Sequence, residues 1–333
     1  MLEDQITDIS VVALPLRTKF RGIVIRELLV FRGRNRWSEF SPFVEYGDQE
    51  AAQWLKGALA WANDPVPAAF RTEIPVNATL PAVQPEQVAD VLSPFGKFGS
   101  VKIKVAERGQ QLGDDVARVR RVRDIYPDVK IRLDANAGFT VKQTLQLAQQ
   151  LSDVDLEYIE QPVATIPELK QLRFEIAERG LNLKVAVDES IRKSSDPLLV
   201  AREQAADIAV IKVQPLGGIK EAMAIASESG LEIVVSSALE SSIGIAHGLH
   251  LAAALPNLHY DCGLATAKLL GGDIVREPLV PVNGVIELRE VEPDTELLDR
   301  YRAPADREDW WLARLERCLK LLKPGVDVQP LEE

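Results

Sequence analysis

The chain has 333 residues, of which 46% are hydrophobic and 27% charged, and a formal net charge of −11. That is enough chain and enough apolar content for one large barrel or two domains with an ample core, which excludes a disordered chain or one that needs disulfides to fold. The acidic balance argues against nucleic-acid binding, because phosphate backbones repel such a surface unless it carries a concentrated basic patch.

The nearest candidate for a patch, the run from Arg118 to Arg123, reads instead as the polar side of a helix whose apolar side carries Val116, Val119 and Val122. No nucleic-acid partner is expected. No window approaches the ~20 apolar residues of a membrane helix. The acidic start, MLEDQITDIS, lacks the basic residues and apolar run of a signal peptide. Cys262 and Cys318 stand far apart and outside any CxxC pattern, as suits a reducing compartment. The expectation is a soluble cytoplasmic protein with no membrane partner. No long apolar stripe demands an oligomer, so a monomer is the simpler expectation.

In chain order, strand-like runs at 11–15 and 23–31 come first, followed by a helix candidate around 50–60. Eight short runs rich in β-branched residues then follow: 74–79 (IPVNAT), 101–105 (VKIKV), 131–134 (IRLD), 156–160 (LEYIE), 185–188 (VAVD), 208–212 (IAVIK), 232–236 (EIVVS) and 258–261 (LHYD). Between them lie stretches with helical spacing of apolar residues, such as 141–151 and 218–229. Successive strand ends from Lys104 to Ser236 recur every 24 to 30 residues. A βα unit repeated at that period predicts a (β/α) barrel of the TIM type. A doubly wound open sheet is the rival, but no strand here is followed by a GxGxxG turn. Beyond the barrel, a strand candidate at 285–289 and a helix candidate at 310–322 complete the chain. The simplest organisation is an α+β cap built from residues 1–73 plus 284–333 over a catalytic barrel of residues 74–283.

Five of these strands end in a charged residue: Lys104, Asp134, Glu160, Asp188 and Lys212, in that order. Catalytic groups of a barrel project from the C-terminal ends of its strands onto one mouth. Lysines on strands 2 and 6 of a ring of eight face each other across that mouth, with three carboxylates on the arc between them. Three adjacent buried carboxylates need a cation, and an all-oxygen set suits Mg2+, with Mn2+ as a substitute. A substrate carboxylate on such an ion has a more acidic neighbouring C–H, and a neutral lysine can take that proton. Lys102 lies on the same strand face as Lys104, and its charge lowers the pKa of its neighbour. The partner expected on this chemistry is a small-molecule carboxylate.

The pieces KIK (102–104), LDAN (133–136), IEQP (159–162), VDES (187–190) and IKVQPLGG (211–218) resemble the muconate-lactonizing subgroup of the enolase superfamily. The resemblance runs the length of the chain. It implies Lys104 and Lys212 as the acid/base pair, Asp134, Glu160 and Asp188 as metal ligands, and Lys102, Asn136 and Glu189 as their supporting neighbours. The ends of strands 7 and 8, SSALESSIGIAHGLHLAAALP and DCGLATAKLL, are most similar to actinobacterial o-succinylbenzoate synthases of menaquinone biosynthesis. That similarity implies a Mg2+-dependent lyase carrying out syn-dehydration of 2-succinyl-6-hydroxy-2,4-cyclohexadiene-1-carboxylate through an enediolate. Ser236, Ser237 and Gly263 would then hold the succinyl tail, with backbone N–H groups there binding its carboxylate, and Arg21 and Arg26 of the cap would close over the site.

Alternatives on the same residues are an N-acylamino-acid racemase, a dipeptide epimerase and a muconate cycloisomerase; a barrel without catalysis is a remoter one. An epimerase calls for paired acids on strand 8, where only Asp261 stands. His247 and His250 lack a Glu between them and read as packing residues. His259 reads as a structural residue of strand 8. Gly217 and Gly218 suit either an anion-binding helix start or a tight turn.

Overall fold

The computed structural model describes residues 6–323. The first five residues of the N-terminal stretch and residues 324–333 of the expected cap lie outside them. Strands β1 (Thr7–Phe20) and β2 (Ile23–Arg32) pair antiparallel about a turn at Arg21 and Gly22, both with positive φ, and β3 (Trp37–Phe40) completes a three-stranded sheet. Two consecutive left-handed residues give the turn whose twist matches the strands. The helix Asp48–Asn63 and the C-terminal helix Ala305–Leu321 pack on one another and on this sheet. Their apolar faces meet in an aromatic cluster, where Trp311 stands edge-on to Phe40 with centroids 5.9 Å apart.

The barrel sheet runs in the order β5 (Ala78–Leu80), β6 (Ser100–Lys104), β7 (Lys130–Asp134), β8 (Leu156–Glu160), β9 (Val185–Val187), β10 (Ile208–Ile211) and β11 (Glu232–Val235). All neighbours are parallel. The strands carry Val, Ile and Leu toward both faces and are almost wholly buried, as a sheet wrapped by helices requires. Helix starts are signalled in the sequence: Thr140 accepts a hydrogen bond from Gln143 N and caps the helix Val141–Gln150.

Two strand expectations need correction. The first candidate, 74–79, divides. β4 (Glu73–Pro75) pairs antiparallel with β12 (Val285–Glu287), and only β5 joins the barrel. Pro75 has no N–H to give a ladder, and the next amide, Val76 N, donates to Gly284 O. The eighth candidate, 258–261, forms no strand. Tyr260 is tied by its hydroxyl to Lys184 and Glu232 at the foot of the barrel, and His259 is exposed. The ring closes two residues later, where Cys262 exchanges hydrogen bonds with Pro75 and Asn77, and Gly263 with Val235 and Ser237. A Cβ on Gly263 would collide with Ser236, so closure at this point needs a glycine.

The arginine run also departs from expectation at one residue. The helix Leu112–Ile125 buries Val119 and Val122, but it buries Arg118 as well. That guanidinium is paired with Asp115 at 2.8 Å and donates to the carbonyls of Val83 and Lys104. Gly217 and Gly218 form a tight turn, their amides donating to Gln214 O and Val213 O, and Gly57 of the cap helix packs closely against it, where a Cβ would stand only 3.0 Å from Gly218 N.

The cap helix Ala305–Leu321 is anchored mainly by Trp311, which is fully buried and donates to Glu27 at 2.9 Å. Trp311→Ala is expected to cost about 3–5 kcal/mol. The cost is read as a lower urea midpoint, with barrel far-ultraviolet signal retained below the transition.

Candidate active site

The charged strand ends come together because the register aligns them. Lys104 pairs with Asp134 across β6 and β7, and Asp134 with Glu160 across β7 and β8. Asp188 and Lys212 follow directly on the last residues of β9 and β10. Lys102 and Lys104 share one face of β6. The carboxylates Asp134, Glu160 and Asp188 are at most 2% exposed.

Each carboxylate is turned toward a lysine. Lys104 Nζ donates to Asp134 at 2.5 Å and to Asn136 Oδ1 at 2.5 Å. Lys102 Nζ lies 2.9 Å from Glu160 and 3.5 Å from Asp134. Lys212 Nζ donates to Asp188 at 2.6 Å, and Arg192 braces Asp188 at 3.1 Å and Glu189 at 2.8 Å. Glu189 also accepts from Asn136 Nδ2 at 3.3 Å.

These pairs set the ionisation. Burial pushes Asp134 up, but Lys104 and Lys102 overcome it and hold the carboxyl at about 2. Asp188 lies well below its ordinary value because Lys212 and Arg192 outweigh its burial. Glu160 is different: burial and the charge of Asp134 push it up to about 7 despite Lys102. Burial lowers Lys104, and the charge of Lys102 adds to that, against the pull of Asp134. Lys102 is raised, since Glu160 and Asp134 outweigh its burial.

A cavity of 30 Å³ lies at the centre of the mouth, lined by Lys102, Lys104, Asp134, Asn136 and Lys212 on one side and Ser236, Ser237 and Gly263 on the other. Phe20, Arg21 and Phe43 of the cap close it, and Arg21 stacks on Phe43 with 4.2 Å to the ring centroid. A second cleft of 810 Å³ lies outside and shares Phe20, Arg21, Lys104 and Asn136 with the first. Glu160, Asp188, Glu189 and Arg26 do not line the inner cavity.

Two sequence expectations change here. Arg26 does not close over the cavity: it is buried, and its guanidinium donates to the carbonyls of Leu239, Ala238 and Ser41. The backbone N–H groups of Ser236, Ser237 and Gly263 are not free for a carboxylate: that of Ser236 donates to Ile211 beside β10, and those of Ser237 and Gly263 donate to Gly263 and Val235 in closing the barrel. The lining residues missed from sequence are Phe20, Phe43, Thr79, Ala238, Leu239 and Thr266. Thr79 ends the run IPVNAT, so the strand-end reasoning that found Lys104 reaches it too. The cap aromatics carry no such signal.

The donors suit a divalent cation. Glu160 Oε1 and Glu189 Oε2 are buried with no hydrogen-bond partner among the described residues. A buried carboxylate oxygen without a donor is costly, and a hard cation is the partner it fits. Among the described residues, no three acidic, His or Cys side chains converge on one point as they stand. Asp134 and Asp188 are turned toward Lys104 and Lys212.

Residues 85–293 match the family described as enolase C-terminal domain-like, and residues 11–62 match the enolase N-terminal domain-like family. The o-succinylbenzoate synthase of Mycolicibacterium smegmatis is 48% identical over 322 residues, covering 96% of this chain and 98% of that one. That of Mycobacterium tuberculosis is 46% identical over 325 residues, 97% of each chain. Among solved structures, the muconate lactonizing enzyme from Pseudomonas putida superposes with a TM-score of 0.74 at 20% identity, over 90% of this chain and all of that one. No helix among the described residues is long and apolar enough to cross a membrane.

His247 and His250 pack on Trp61, with ring centroids 4.7 and 4.9 Å away, and no metal motif forms. Burial, then His250 and Arg36, push His247 down to about 3. The folded state therefore holds this ring neutral, and its stability is full above the ordinary value of 6.5 and is lost as pH falls from there toward 3. Wild type is expected to lose up to about 1.4 kcal/mol per pH unit from this group below that point. His247→Gln lacks the dependence, so urea midpoints at pH 7, 6 and 5 should converge for the two proteins.

Proposed function

The chain belongs to the enolase superfamily and, within it, to the o-succinylbenzoate synthases, and on that footing we propose that it is a hydro-lyase converting 2-succinyl-6-hydroxy-2,4-cyclohexadiene-1-carboxylate to 2-succinylbenzoate and water. Enzymes of this superfamily use a divalent metal, and we assign Mg2+ here, with Mn2+ as a substitute. Asp134, Glu160 and Asp188 would hold it, with Asn136 and Glu189 as supporting neighbours. When bound, the ion would stabilise the negative charge that a substrate carboxylate takes up as its α-proton leaves. The observation that carries the reading is the convergence of Lys104 and Lys212 on one cavity whose far wall is Ser236, Ser237 and Gly263.

Lys104 acts first as a base on the carbon bearing the ring carboxylate. Burial and the charge of Lys102 favour its neutral form. The C–H electron pair moves into the carboxylate to give an enediolate. As that pair returns to the ring, the C–O bond to the neighbouring hydroxyl breaks, and the proton on Lys104 leaves with hydroxide as water. One lysine serves both transfers only if proton and hydroxyl lie on the same face, hence syn elimination. Lys212, on the opposite side, holds its positive charge against the enediolate. The side chains of Ser236 and Ser237 and the cap residue Arg21 contact the succinyl tail. Asp261 accepts a hydrogen bond from Ser100 at the start of β6, away from the cavity, which counts against a dipeptide epimerase. Two buried free cysteines and the net charge of −11 support a soluble cytoplasmic enzyme, and we infer a monomer that binds neither nucleic acid nor membrane.

Turnover followed by ultraviolet absorbance is expected with Mg2+ and to vanish with EDTA. Lys104→Ala should lower kcat by about 10²–10⁴-fold, and Lys212→Ala by about 10²–10³-fold. In deuterated solvent, exchange of the α-proton should persist in Lys212→Ala and stop in Lys104→Ala. Exchange in the Lys104 variant would defeat its role as the base. A folded, Mg2+-binding protein that leaves the diene untouched would move the reading to N-acylamino-acid racemization, for which two lysines on one cavity are equally suited.

A further inference from the structure

We propose that Glu39, a cap residue with no access to the substrate cavity, is a positioning residue that sets the barrel wall formed by Ala238 and Leu239. This inference rests on the functional reading above. Glu39 lies on β3 and is fully buried. Its Oε2 accepts hydrogen bonds from Ser241 N at 3.0 Å, Ser241 Oγ at 2.5 Å and Gly244 N at 3.2 Å. Its Oε1 accepts from Ser41 Oγ at 2.6 Å. The carboxylate thus reaches from the cap to the first turn of the barrel helix Ser242–Ala254, whose own cap residue is Ser241. Helix N-termini present unpaired amides, and a carboxylate is the group that satisfies them.

The segment leading into that helix is the wall. Ala238 and Leu239 line the cavity between Ser237 and the cap. Leu239 has φ 64, a left-handed conformation that a leucine holds only where its surroundings impose it. Those surroundings come from the cap and from the segment itself. Arg26 of β2 donates to the carbonyls of Ala238 at 3.3 Å and Leu239 at 3.1 Å, and Glu240 turns back to accept from Ala238 N at 2.6 Å. Arg26 also stacks on Phe43, another cavity residue, with 4.3 Å to the ring centroid. Two carboxylates and one guanidinium are therefore buried together, and burial and Glu240 push Glu39 up to about 7 despite its hydrogen bonds and Arg26. Buried charge of this kind is a poor source of stability and a good source of fixed geometry. On the functional reading above, the wall, next to Ser237, would contact the succinyl tail and not the reacting carbons, so its displacement would weaken ground state and transition state alike.

The test is steady-state kinetics on the Mg2+-loaded full chain, comparing the parent with Glu39→Gln and Ser241→Ala. Glu39→Gln is expected to raise KM for the diene about tenfold with kcat within about twofold, and Ser241→Ala to raise KM about threefold by loss of one hydrogen bond. The double variant should fall short of the product of the two, since both act through one contact. If Glu39→Gln does not fold, Ser241→Ala decides. Folded variants with lower unfolding midpoints and an unchanged KM would make the contact a simple tie and overturn the proposal, as would a fall in kcat alone. A parent inactive on the diene would remove the functional reading and this inference with it; an active parent with unchanged variants would remove only the inference.

Discussion

Burying Asp134, Glu160 and Asp188 side by side is the constraint to which the rest of the barrel mouth answers. Their mutual repulsion, in a place where water cannot screen it, has to be met by positive charge at close range. The structure meets it with Lys104 on Asp134, Lys102 on Glu160, and Lys212 with Arg192 on Asp188. The compensation is uneven. Asp134 and Asp188 are driven below their ordinary range, whereas Glu160 is pushed up to about 7 and keeps one oxygen unpartnered. The shortage of positive charge is therefore centred on Glu160 and on the free oxygen of Glu189, which is where a divalent ion has most to offer. On the function proposed above, two of these lysines are the acid/base pair, so binding a divalent ion on the carboxylates would be linked to the contacts that Lys104 and Lys212 make with Asp134 and Asp188.

The fold supplies the frame for this cluster at low cost in special features. Parallel strands in register put residues of neighbouring strands at one height, and a ring turns that height into a mouth. Closure by Cys262 and Gly263 draws the eighth segment in tightly and consumes the amides of Ser237 and Gly263, while that of Ser236 is taken by Ile211 O of β10. Substrate recognition on that side is left to hydroxyls and to the neighbouring wall. The inner cavity of 30 Å³ is small beside the outer cleft. Phe20 and Arg21, at the end of the β1–β2 hairpin, lie between it and the outer cleft of 810 Å³ and line both.

The barrel and its charged strand ends were legible because each depends on a short-range pattern. Alternation placed Lys102 with Lys104, and the recurring strand period placed Asp134, Glu160 and Asp188 beside them. What escaped depends on contacts distant in sequence. LHYD alternates like a strand, but the hydroxyl of Tyr260 is held at the barrel foot by Lys184 and Glu232, which shifts closure to Cys262. Arg118 sits in a run of arginines and looks solvated, yet the carbonyls of Val83 and Lys104 draw it inward. Arg26 resembles a residue of the site's lid and is a clamp on the loop after β11. No periodicity in the sequence announces a buried arginine whose partners are main-chain carbonyls more than 200 residues away.

That distinction separates what the chemistry requires from what the substrate requires. A solved structure at 20% identity shares the barrel and cap, so the frame alone leaves the reaction open. Relatives at 46–48% identity over 96–97% of this chain narrow it to the o-succinylbenzoate synthases. On the function proposed above, the cavity residues placed to distinguish one carboxylate from another would be Phe20, Arg21 and Phe43 of the cap, Ser236 and Ser237, and Ala238 and Leu239 of the wall. Arg26 connects the two groups, stacking on Phe43 while holding the carbonyls of Ala238 and Leu239. If cap and wall together select the substrate, a change at one would be felt at the other, because Arg26 ties Phe43 to the carbonyls of Ala238 and Leu239.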